Sequence, residues 1–271
     1  MILASITMLS IAVFFAFIVW LVYKRFWIKI NPELEKAIEM LTGLNCGACG
    51  FSSCESFARA LSESKEVRCP MLDSDKMSKL CNILGTKGVE STLKRAVVLC
   101  KGTDKDKKFY ARYRGIESCH AASLNAAYQG CSYGCLGFGD CSKVCPVSAI
   151  SIKDGLAIID INRCIGCGLC IKECSRGIIT LVDYNGKFIV YVACSNKDSA
   201  LEVKEVCKVG CIGCNLCVKL LSEGSFKIED NLARVSCGGN GLDREEEYKK
   251  VIDKCPTHTI EIEYSKKRAG I

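Results

Sequence analysis

Histidine, tryptophan and proline are scarce in this chain: two, two and four residues out of 271. With only His120 and His258, no histidine-built metal or acid–base centre can organise the protein. Both are read as packing or surface residues, although His258 follows Cys255-Pro256 closely enough to tune a neighbouring centre through a hydrogen bond. No Gly-x-Gly-x-x-Gly follows a strand-like run, and there is no phosphate loop. Gly238-Gly-Asn-Gly241 is too short and has no βαβ frame around it. A flavin or nicotinamide site is not found, no catalytic residue is expected, and two-electron chemistry is left to partners. Charge is missing from the first stretch as well: no charged side chain precedes Lys24.

Cysteine is abundant instead, with twenty-two residues. Most stand in runs such as Cys164-Ile-Gly-Cys167-Gly-Leu-Cys170-Ile-Lys-Glu-Cys174. A Cys-x2-Cys-x2-Cys loop delivers three thiolates from one turn of backbone, which is the ligand pattern of a [4Fe–4S] cluster. Disulfides are disfavoured, because neighbouring thiols in a tight loop are poorly placed to pair and the chain can bury a core without staples. Zinc is satisfied by Cys-x2-Cys pairs and has no use for the third cysteine or the Cys-Pro that follows. Thiolates kept in such number imply a reducing compartment. The formal charge of +7 counts every cysteine as neutral. Each cluster held by four thiolates contributes 2−, so five of them bring the chain to about −3, and a nucleic-acid face is not expected.

The uncharged run from Ile2 to Tyr23 crosses a hydrocarbon core of roughly 30 Å at about 1.5 Å per residue. Trp20, Tyr23 and Trp27 suit an interfacial aromatic belt, and Lys24, Arg25 and Lys29 follow. The positive-inside rule then puts residues 24–271 in the cytoplasm, as a single-pass protein of the cell (inner) membrane. A signal peptide would begin with basic residues and end on small ones, unlike Trp20-Leu-Val-Tyr-Lys-Arg25. The span has no ionisable residue and cannot relay ions by itself.

The expected fold class is α+β, with a single N-terminal transmembrane helix (1–30) and a small four-cysteine Fe–S domain (31–75). A connecting segment (76–130) carries Cys100 and Cys119. Two tandem ferredoxin-like domains follow, 131–193 and a degenerate one, 194–271. Glu33–Leu41 predicts a short helix, as does the stretch around Phe57, Ala58 and Leu61. Residues 101–108, KGTDKDKK, are read as a solvated loop. Ala149–Asp160 predicts two strands around Asp154-Gly155, and Phe226–Val235 repeats that hairpin around Asp230-Asn231.

Ligands can be assigned by register. Cys46, Cys49, Cys54 and Cys69 form one set. In two-cluster ferredoxins the fourth cysteine of each run serves the other cluster, so Cys164, Cys167 and Cys170 take Cys145. The reciprocal set keeps Cys135, Cys141 and Cys174. Phe138 occupies the middle position of its loop, and Cys131 is expected to substitute. In the degenerate domain Cys211, Cys214, Cys217 and Cys255 make one set. Leu221 stands where a further ligand would be, and the final cysteine run is replaced by charged, helical sequence. Cys100, Cys119, Cys194 and Cys207 remain as a fifth set built from distant segments, for about five [4Fe–4S] clusters. Cys81 and Cys237 are spare, with a buried free thiol as the plain role. Cys207-x3-Cys211-x2-Cys214 also has the spacing of radical S-adenosylmethionine enzymes, but too few residues follow for their barrel.

The chain resembles the B subunits of Rnf-type electron-transport complexes over nearly its whole length. The motifs that carry this are the N-terminal span, Asn45-Cys-Gly-Ala-Cys-Gly50 with Cys54 and Cys69, Glu117-Ser-Cys119-His-Ala-Ala-Ser123, Gly130-Cys-Ser-Tyr-Gly-Cys-Leu-Gly137, and Cys207-Lys-Val-Gly-Cys-Ile-Gly-Cys214. The Cys46 module is also similar to the four-cysteine domain of corrinoid iron–sulfur proteins. The resemblance implies a subunit that accepts electrons from reduced soluble ferredoxin. It would pass them to flavin-bearing membrane partners, coupling NAD reduction to Na+ or H+ translocation. Leu221 and the missing last run depart from the pattern. The alternative is a stand-alone membrane-anchored polyferredoxin serving a cytoplasmic reductase or redox regulator.

Overall fold

The computed structural model describes residues 2–26, 32–47, 49–63, 67–70, 72, 74–86, 93–125, 128–184, 187–221, 224–236 and 244–265. Cys237 and the end of the chain lie outside them. Helix α1 (Ile2–Phe26) carries its basic residues, Lys24 and Arg25, only in the last turn. From Ser5 to Arg25 no side chain is buried, which leaves an apolar surface of membrane-spanning length.

Three short helices follow: α2 (Pro32–Met40), α3 (Cys54–Ser62) and α4 (Ser74–Ile83). Ala37, Phe57, Leu61 and Leu80 make their shared core. The side chain of Ser53 caps α3 by accepting the Ser56 amide at 3.1 Å.

The rest of the chain uses one plan twice. The first unit runs β1 (Leu93–Val98), α5 (Cys119–Leu124), α6 (Asp140–Lys143), β2 (Ile150–Lys153), β3 (Leu156–Ile159), α7 (Leu169–Glu173) and β4 (Ile179–Tyr184). The second runs β5 (Phe188–Val192), α8 (Ala200–Val206), α9 (Leu216–Leu220), β6 (Phe226–Glu229), β7 (Leu232–Val235), α10 (Glu245–Lys254) and β8 (Ile260–Tyr264). In each unit the first and last strands pair antiparallel, Leu93↔Tyr184 to Val98↔Ile179 and Phe188↔Tyr264 to Val192↔Ile260. The middle strands form the two expected hairpins. Asp154, Gly155, Asp230 and Asn231 all have positive φ, as a two-residue I′ turn requires.

Alternation along the strands joins the units. Ala96 and Val98 face the first core, while Phe188, Val190 and Val192 face the second. The opposite faces, Val97 of β1 with Ile189 and Tyr191 of β5, meet in a third apolar layer with Ile161.

Two expectations differ from this arrangement. β1 lies in the 76–130 segment and β5 in the 131–193 segment, yet β1 closes the first unit and β5 the second. Strand partners so far apart in sequence leave no local signal. Residues 101–108 are also not a plain solvated loop. The Asp104 amide donates to Asp154 O (2.9 Å), the Lys108 amide to Val206 O (2.9 Å) and the Lys208 amide to Asp106 O (3.0 Å). The loop is thus wedged between the units with Lys107 buried. A charge run does not show how its backbone is used.

Candidate metal centres

Three loops share one backbone. In Cys135-Leu-Gly-Phe-Gly-Asp-Cys141, Cys164-Ile-Gly-Cys-Gly-Leu-Cys170 and Cys211-Ile-Gly-Cys-Asn-Leu-Cys217, the second and fourth residues after the first cysteine are left-handed. These are Gly137 and Gly139, Gly166 and Gly168, Gly213 and Asn215. At the earlier position a Cβ would strike backbone: Gly155 Cα at 2.7 Å from Gly137, Asn231 O at 2.5 Å from Gly213, and Lys94 O against Gly166. Only glycine fits there. Each loop opens on a small cavity lined mainly by apolar residues and four cysteines.

The fourth cysteine comes from a second repeated turn. Ser148, Gly177 and His258 stand three residues after Cys145, Cys174 and Cys255, each left-handed. Each donates its amide back to that cysteine's carbonyl, at 3.2, 3.0 and 3.1 Å. His258 is therefore a turn residue. Gly224, three residues after Leu221, is left-handed as well. Leu221 is buried in the second core with Tyr248 of α10.

Cys145, Cys164, Cys167 and Cys170 line one cavity, and Cys211, Cys214, Cys217 and Cys255 another. The third gathers Cys135, Cys141 and Cys174 with Cys119, not Cys131. Phe138, at the middle position, turns away to pack with Tyr113, ring centroids 5.3 Å apart. Cys131 faces the other way, toward Asn196. The sequence held a signal for this. Cys131-x2-Gly-Cys135-x-Gly and Cys207-x2-Gly-Cys211-x-Gly align, which puts Cys131 in register with Cys207 rather than with a loop ligand.

Burial pushes the thiols up, and neighbouring sulfurs push them further. Cys141 reaches about 12 beside Cys135, Cys119 and Cys174. Cys170 reaches about 12 beside Cys164, Cys167 and Cys145, and Cys217 about 11 beside Cys211 and Cys214. Such thiols give up their protons to a metal, which then supplies the opposing charge. Backbone amides already aim at the sulfurs: Ala96 and Gly166 N–H to Cys164 Sγ at 3.4 Å, and Ala149 N–H to Cys145 Sγ at 3.3 Å. Arg176 lines the Cys119 cavity with its Nε and Nη2 buried and unpartnered. Orphaned guanidinium donors beside four thiols fit an anionic group there. None of the described cysteines is in a disulfide. The donor set and the orphaned cation fit iron–sulfur clusters.

In the first module Gly43, Asn45, Gly47 and Gly50 are left-handed and wind the chain around Cys46 and Cys49. Asn45 Oδ1 accepts the Cys54 amide at 2.8 Å. Cys69 is buried, whereas Cys46, Cys49 and Cys54 are partly exposed. Cys81 is a buried thiol in that module's core. His120 is exposed, with Nε2 3.3 Å from Glu173 Oε1.

Residues 41–70 match the family model "Putative Fe-S cluster", and residues 157–180 match "4Fe-4S binding domain". The chain is 34% identical to the B subunit of the Na(+)-translocating ferredoxin:NAD(+) oxidoreductase complex of Acetobacterium woodii, over 92% of its own length and 74% of that protein. It is 35% identical to the B subunit of the ion-translocating oxidoreductase complex of Methanosarcina acetivorans, over 78% and 81%. To the B subunit of the proton-translocating ferredoxin:NAD(+) oxidoreductase complex of Clostridium ljungdahlii it is 32% identical, over 94% and 90%.

Proposed function

Because the chain belongs to the B subunits of ion-translocating ferredoxin:NAD oxidoreductase complexes, we propose that it takes electrons from reduced soluble ferredoxin and hands them toward flavin-bearing subunits and NAD. It is an electron-transfer subunit carrying [4Fe–4S] clusters. Bound clusters supply one-electron transfer, and the protein holds, insulates and charges them. The observation that carries this reading is the threefold loop backbone, each copy opening on an apolar cavity with four thiols.

The proposed ligand sets are Cys46/Cys49/Cys54/Cys69, Cys145/Cys164/Cys167/Cys170, Cys119/Cys135/Cys141/Cys174 and Cys211/Cys214/Cys217/Cys255. With a further set from the remaining cysteines, the chain holds about five clusters. The ladders favour two ferredoxin-like units at 93–184 and 188–264 in place of 131–193 and 194–271. Helix α1 anchors the protein in the membrane, and Lys24 and Arg25 favour the cytoplasmic side for everything after them.

Gentle detergent extraction followed by mass analysis tests the assignment. The chain is expected to purify with other membrane subunits and to be reduced by added ferredoxin. A chain that always purifies alone, still loaded with iron, overturns the complex in favour of a stand-alone polyferredoxin.

A further inference from the structure

Among the described residues, four cysteines lie outside the N-terminal module and the three cavities, and they occupy equivalent places in the two units. Cys100 stands two residues after β1, and Cys194 two residues after β5. Cys131 precedes its loop cysteine, Cys135, by four residues, as Cys207 precedes Cys211. Even the hydrogen bonds repeat. The Cys135 amide donates to Cys100 Sγ at 3.5 Å, and the Cys211 amide donates to the Cys194 thiol.

These segments converge between the units. Asn196 is 2% exposed and touches two of the four sulfurs. Its amide donates to Cys194 Sγ at 3.4 Å and its side-chain Nδ2 to Cys131 Sγ at 3.6 Å. Cys207 bridges to Lys107 in the wedge between the units. Its thiol feels Cys100 and Cys131, and Cys194 feels Cys100. A Cβ on Gly102 would sit 3.4 Å from Cys207 Sγ and 3.2 Å from the Lys107 side chain.

A buried cation marks the same place. The Lys107 side chain is 1% exposed, and its ammonium donates to Cys135 O at 2.8 Å and Gly155 O at 2.9 Å. The carboxylate that pairs with it, Asp104, is 3.7 Å away and 57% exposed. An ammonium so enclosed is costly without a stronger anionic neighbour.

We propose that Cys100, Cys131, Cys194 and Cys207 hold a [4Fe–4S] cluster that clasps the two ferredoxin-like units together, with Asn196 as a positioning residue and Lys107 as the charge that offsets it. The inference rests on the iron–sulfur reading above and assigns Cys119 and Cys131 to different clusters.

The test uses the full chain, purified anaerobically in detergent, with iron and sulfide assayed per folded chain and spins counted by electron paramagnetic resonance after reduction. Wild type is expected to hold about twenty irons. Cys131→Ala and Cys194→Ala should each lose one-fifth of the iron, and the Cys131→Ala/Cys194→Ala pair should lose no more. The Cys119→Ala/Cys131→Ala pair should lose two-fifths. A loss of one-fifth in that last pair would put both residues on one cluster and overturn the proposal. Wild type at about sixteen irons, unchanged by Cys194→Ala, would also overturn it while leaving the iron–sulfur reading intact. A folded chain without iron would sink that reading itself. Asn196→Leu keeps all four thiols, so it serves if the alanine variants do not fold. It is expected to retain full iron and shift one paramagnetic signal, and a spectrum identical to wild type would refute the positioning role.

Discussion

Single side chains set the electrostatics around these thiols. Lys107 is held by two backbone carbonyls with a carboxylate only at 3.7 Å, and Arg176 has its Nε and Nη2 buried without a partner. Positive charge near a cluster favours its reduced state. Lys107→Met should therefore lower the midpoint potential of the adjoining clusters without changing the iron content. A spectroelectrochemical titration showing every potential unmoved would count against Lys107 as a charge partner. The lysine was invisible as such in the sequence, where it is one of four in KGTDKDKK. Charge patterning shows which residues prefer water, but not which is held out of it by backbone acceptors.

Short elements were the most legible level. The Asp154-Gly155 and Asp230-Asn231 hairpins, the anchor helix and the helices α2 and α3 of the first module follow from local signals, and the structure has them, whereas α4 is not among the expected elements. The loop glycines add a sharper rule. The second residue after the first cysteine faces backbone and must be glycine, whereas the fourth tolerates Asn215 in one copy. Gly166→Ala should cost about 2 kcal/mol or more through its left-handed φ and its clash with Lys94 O. It should also empty the Cys164 site. Gly168→Asn, copying Asn215, should keep its iron and nearly its full stability. Thermal unfolding and iron analysis of the two variants would separate them, and equal damage would refute the distinction. Less legible was which cysteine completes the Cys135 loop. Proximity in sequence favours Cys131, but α5, in the longer stretch between β1 and the Cys135 loop, brings Cys119 to the cavity.

At the scale of the whole molecule, the second unit has given up one site in a specific way. Leu221 is buried in the second core, where α10 contributes Tyr248, which is fully buried. The Tyr248 ring lies 6.4 Å from Phe188 and 6.1 Å from Phe226. Restoring one thiol should therefore not restore the site. Leu221→Cys is expected to leave the iron content unchanged and to lower stability by about 1–2 kcal/mol, as a buried side chain is shortened. A gain of about four irons would show that α10 can yield.

The repeated positions of Cys100 with Cys194 and of Cys131 with Cys207 have a further consequence for assembly. Each unit presents the same half of a four-thiol set to the other, as two copies of one protein do across a twofold interface. As separate molecules the halves would meet according to their concentration. On one chain, tied by the short stretch between β4 and β5, each meets the other at a fixed local concentration. The junction then closes to the same extent in a dilute membrane as in a crowded one.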